Sequence, residues 1–149
     1  MDPVREYVEE VASHDVRATL AWLDDAGFRL AASQGGRRES FGDALLVFSG
    51  DAKVRIVRDR GQWDVAVSPA AGGAWFSLAI LTAAREGRDW ETPAVDFSAG
   101  PPRQLPCGIS WRHSLPTALE WLKQPGSTEA LKQTDARARD RLRRQFGQL

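Results

Sequence analysis

Two short links, Ser49-Gly50-Asp51-Ala52 and Arg60-Gly61, separate three runs rich in β-branched and apolar residues, at roughly 41–48, 53–59 and 62–68. Both links are short enough for hairpins, and glycine supplies the positive φ that such turns need. Taking Arg60-Gly61 as a two-residue loop pairs Asp59 with Gln62, Arg58 with Trp63, Ile56 with Val65 and Val54 with Val67. Taking Gly50-Asp51 in the same way pairs Val47 with Val54 and Leu45 with Ile56. The two registers then share one apolar face made of Leu45, Val47, Val54, Ile56, Val65 and Val67. A slip of one residue in either hairpin would destroy that agreement, so a meander with this face in the core is expected. Its opposite face carries Leu46, Phe48, Arg55, Val57, Asp59, Gln62 and Asp64, with charges that can pair diagonally, as Arg55 with Asp64. Such a face is either covered by the C-terminal segment or is an interaction surface.

Helical patterns flank the meander. Val4, Tyr7, Val8 and Val11, then Leu20 and Leu23, repeat at helical steps over 3–26, with Ser13 or Asp15 placed to cap a second helix and Gly27 at its end. Phe28 to Ala32 is a short strand candidate, followed by the loop Gly35-Gly36-Arg37-Arg38. Trp75 to Arg85 reads as a buried helix, apolar nearly all round and stopped by Gly87, which lies across the core face of the meander. Periodicity then fails from Arg88 to Ser114, where Pro93, Pro101, Pro102 and Pro106 exclude a long helix, yet Trp90, Phe97 and Trp111 argue for packing. Ser114-Leu115-Pro116 predicts a helix start. Ser127 is expected to cap a last helix reaching Phe146, with Leu131, Ala138, Leu142 and Phe146 as its stripe. Helices at both ends around an antiparallel meander predict an α+β fold in one domain over 1–149.

Composition narrows the function classes. Twenty basic residues balance twenty acidic ones, which argues against a protein built around a nucleic-acid backbone or an anionic membrane. One cysteine excludes an intrachain disulfide, and the longest apolar run, Ala74 to Ala84, is too short to span a bilayer. The acidic N-terminal stretch after Met1 does not resemble a signal peptide, so a soluble cytoplasmic protein is expected. His14, His113 and Cys107 cannot make a zinc site, and no phosphate-binding glycine motif occurs, so no metal or cofactor is expected. The best nucleophile constellation is Cys107 with Ser110, His113 and Ser114, but no family signature surrounds it, and a structural thiol is the better reading. Glu39, Asp43, Asp59 and Asp64 could supply an acid–base pair, but the strand reading makes Asp59 and Asp64 ordinary solvent-facing charges. Arg137, Arg141 and Arg144 fall on one helical face that could touch phosphates, although cations there also complement the helix dipole. Trp22, Trp63 and Trp121 belong to regular elements, whereas Trp75, Trp90 and Trp111 flank loops where an amphipathic ring can anchor a contact.

The stretch Phe41-Gly42-Asp43-Ala44-Leu45-Leu46-Val47-Phe48, the run from Val54 to Arg58-Asp59-Arg60-Gly61-Gln62-Trp63, and Trp75-Phe76 resemble the small immunity proteins encoded beside bacterial polymorphic toxins. The likeness spans residues 40–85, about a third of the chain. It implies a cytoplasmic protein without catalytic residues or cofactor, which blocks a cognate toxin domain by one-to-one binding, with charge steering the encounter. Toxin-binding residues vary within such families, so none is carried over. The residues themselves nominate Arg55, Asp59 and Asp64 on the mixed sheet face and Trp90, Trp111 and Arg112 in the long loop. The alternatives are a protein-interaction module of another kind and a weak nucleic-acid binder using the C-terminal arginines.

Overall fold

The computed structural model describes residues 1–36, 41–69, 73–90, 95–96, 103–104 and 110–145. Its N-terminus forms two helices, α1 (Pro3–Val11) and α2 (His14–Asp25), broken at Ala12 and Ser13. Each starts where a side chain satisfies free backbone donors. The Asp2 carboxylate accepts from the N–H groups of Val4 (2.8 Å) and Arg5 (3.2 Å), and Ser13 Oγ accepts from Val16 N–H. Gly27, at φ 87°, turns the chain out of α2.

Five antiparallel strands follow in sheet order: β1 (Arg29–Gly35), β2 (Ala44–Ser49), β3 (Ala52–Asp59), β4 (Gln62–Pro69) and β5 (Phe76–Ser77). The β3–β4 register is the one that Arg60-Gly61 dictates, from Asp59 opposite Gln62 to Val54 opposite Val67. Both loop residues have positive φ, 54° and 77°, as a tight two-residue turn between twisted strands requires. The β2–β3 register differs by one residue from the sequence expectation. Phe48 faces Val54 and Leu46 faces Ile56, because Ser49 pairs with Lys53 and leaves Gly50, Asp51 and Ala52 as a three-residue link. The Gly50 N–H donates to the Ala52 carbonyl (2.9 Å), and a side chain at Gly50 would collide with the Phe28 ring, 2.7 Å from the position its Cβ would take. With the period of two, this single residue exchanges the faces of β2. Ala44, Leu46 and Phe48 therefore join Val54, Ile56, Val65 and Val67 in the core, and Leu45 and Val47 turn half-buried to the other side.

Helices α1 and α3 pack on the sheet, and the buried side chains of all five helices among the described residues share one cluster with Phe48, Val54 and Ile56. Helix α3 (Leu78–Glu86) starts three residues later than its apolar pattern suggests, because Phe76-Ser77 pairs as β5 with β4 and Ser77 Oγ then caps α3 at Ile80 N–H. A short antiparallel pair, β6 (Val95–Asp96) and β7 (Arg103–Gln104), lies in the long connection. Helix α4 (Trp111–Leu122) begins before the expected Ser114, since Ser110 is its cap, and it carries Pro116 within its length. Helix α5 (Ser127–Gln145) packs on α3 and α4, so the described part of the C-terminal segment joins the other helices. Ser127 does not cap α5 as expected; its hydroxyl donates to the Leu122 carbonyl (2.8 Å), and Gly126 O accepts the first helical bond, from Ala130.

The observed register predicts a sharp asymmetry between neighbours. Leu46→Ala should cost about 2–5 kcal/mol by opening a core cavity, and Leu45→Ala well under half of that, as measured by urea unfolding. Val54→Asp and Val65→Asp should abolish folding because an unpaired charge would be buried, whereas the exposed Gln62 should accept aspartate without loss.

Candidate interaction surface

The face of the sheet away from the helices presents Leu45 and Val47 from β2, Arg55, Val57 and Asp59 from β3, and Gln62, Asp64, Ala66 and Ser68 from β4. Leu45, Val47, Arg55 and Val57 are half-buried, Asp59, Gln62 and Asp64 are exposed, and Ala66 and Ser68 are buried. Apolar and charged side chains thus alternate across one continuous surface.

Arg55 is its centre. Strand β5 brings Trp75 beside β4, and the Arg55 guanidinium carbon lies 4.7 Å from the Trp75 ring centroid. This cation–π geometry holds a cation over an aromatic face while leaving its hydrogen-bonding edge unspent. The Arg55 Nε is buried and has no hydrogen-bond partner among the described residues. The diagonal ion pair expected between Arg55 and Asp64 does not form. No contact within ion-pair distance joins them, because the guanidinium is drawn over the indole instead. Asp64 nevertheless feels the charge at longer range. Although the residue as a whole is exposed, partial desolvation of its carboxyl pushes its pKa up, against the opposing pull of the Val65 N–H and of Arg55.

At the hairpin end of the same sheet, Asp59 stands beside Arg60 at 4.0 Å, both exposed. Asp43 Oδ1 accepts from the Arg60 N–H (2.9 Å), tying the β3–β4 turn to the entry of β2. Just behind, the Gly42 carbonyl accepts from both the Tyr7 hydroxyl (2.9 Å) and Arg58 Nη1 (2.9 Å), and Arg58 Nη1 also donates to Tyr7 Oη at 2.7 Å. A β-carbon at Gly42 would come within 2.7 Å of that hydroxyl, and φ there is 82°, so only glycine fits the clamp. Phe41, next to it, is 93% exposed.

The other nominated residues lie in the helical layer and do not join this surface. Trp90 is half-buried against the core, and its carbonyl accepts from Arg141 Nη1 (3.1 Å). Trp111 is half-buried on the first turn of α4, where its N–H donates to Asp15 Oδ2 (2.8 Å). Asp15 Oδ1 accepts from the Arg112 N–H (3.1 Å) and from Ser110 Oγ (2.9 Å). Asp15 therefore serves the N-terminus of α4, not that of its own helix. Burial pushes its pKa up, but the N–H groups of Arg112 and Trp111 and the Ser110 hydroxyl outweigh that and hold it below the ordinary carboxylate value. His113 is exposed, its N–H on Ser110 Oγ. Cys107, Phe97, Glu39 and Phe146 lie outside the described residues.

The arginine face of α5 is engaged within the fold. Arg137 Nε pairs with Asp89 at 2.8 Å and its Nη2 reaches Thr134 Oγ1, Arg141 holds the Trp90 carbonyl, and Arg144 pairs with Asp140. Among the described residues no group of three or more His, Cys, Asp and Glu side chains could hold a metal ion, and no helix is long and apolar enough to cross a membrane. Comparison of the chain with protein-family models, curated proteins and solved structures finds no match.

Because Asp15 is held charged below the ordinary range, its contribution is complete above about pH 4 and is lost as pH falls through its depressed folded value. Asp15→Ala should cost about 1–2 kcal/mol at neutral pH and flatten the acid limb of the stability curve, read from urea midpoints between pH 2 and 7.

Proposed function

We propose that this protein acts by binding and not by catalysis, as an immunity-type protein that holds a partner toxin one-to-one in the cytoplasm and thereby inhibits it. The observation that carries the reading is the Arg55–Trp75 stack on a sheet face that the helices leave uncovered. An arginine preorganised on an indole at a half-buried position is suited to anchor a contact with a partner. Half-buried Leu45, Val47 and Val57 around it supply the apolar area that an interface needs, and Asp59, Asp64 and Arg60 supply its charged rim. The segments that resemble immunity proteins, 41–48, 54–63 and 75–76, are the ones that build this face. The arginines of α5 that favoured nucleic acid are spent on Asp89, Trp90 and Asp140, which favours a protein partner over a phosphate backbone.

The test looks beside the coding sequence of this chain for a large secreted protein with a variable C-terminal domain and co-expresses that domain with the chain. Growth should be restored and a one-to-one complex recovered. Arg55→Ala and Trp75→Ala should each weaken that complex by about 30-fold or more, as central anchors do, with little change in melting temperature for Arg55→Ala. Unrelieved toxicity with no complex at micromolar concentration would overturn the reading.

A further inference from the structure

No further inference is drawn: the strongest candidate, the outer edge of β1, to which no strand among the described residues is paired, is broken by a register shift between Leu30 and Ala32, and nothing in the structure shows what strand would cover it.

Discussion

The three-residue link Gly50-Asp51-Ala52 decides what each side of this sheet is for. By pairing Ser49 with Lys53, it sends Ala44, Leu46 and Phe48 to the helices and Leu45 and Val47 to the other face. One residue fewer would expose Phe48 and bury Leu45 and Val47, and the helical layer would then meet a different surface. The close approach of Phe28 to Gly50 holds the link in that form. Everything argued for the outer face follows from this register, since Arg55, Val57 and Asp64 acquire Leu45 and Val47 as neighbours only through it.

The helical layer is assembled by polar contacts that connect elements distant in sequence. Asp15 in α2 caps α4, about a hundred residues on, and Arg5 in α1 pairs with Asp24 in α2. Arg137 and Arg141 in α5 hold the segment after α3 through Asp89 and the Trp90 carbonyl. These pairs are mostly exposed, and each adds little stability on its own. Their effect is orientation, fixing helices whose apolar stripes already meet in one core. Of the residues that look like surface recognition groups, Trp111 packs against the core and Arg137, Arg141 and Arg144 of α5 make contacts within the fold, whereas Arg112 gives it only its backbone N–H.

The α+β class, the two N-terminal helices and the β3–β4 register were legible because each rests on local chemistry: Ser13 as a cap, Gly27 after a helix, Arg60-Gly61 as a two-residue turn. The β2–β3 register was not legible, because both faces of β2 are apolar and alternation cannot choose between Leu45 and Leu46. Link length alone decides that choice, and Gly50-Asp51 is compatible with two or three residues. The start of α3 was hidden for a related reason, since Phe76-Ser77 continues the apolar pattern of the helix while pairing as a strand. Of the nominated surface residues, Arg55, Asp59 and Asp64 share one face, as the alternation of β3 and β4 implied. Trp75, noticed only as a loop-flanking ring, proved to be the partner of Arg55.

On the proposed function, one face of the sheet is structural and the other binds a partner. Methyl NMR in the presence of a soluble paramagnetic agent tests it directly, recorded with the protein free and with the proposed protein partner bound. Leu45, Val47 and Val57 should be broadened in the free protein and protected in the complex, with Leu20, Leu46 and Leu81 sharp throughout. Persistent broadening of Leu45, Val47 and Val57 in the complex, with protection appearing on the helical layer at Val11 instead, would contradict it.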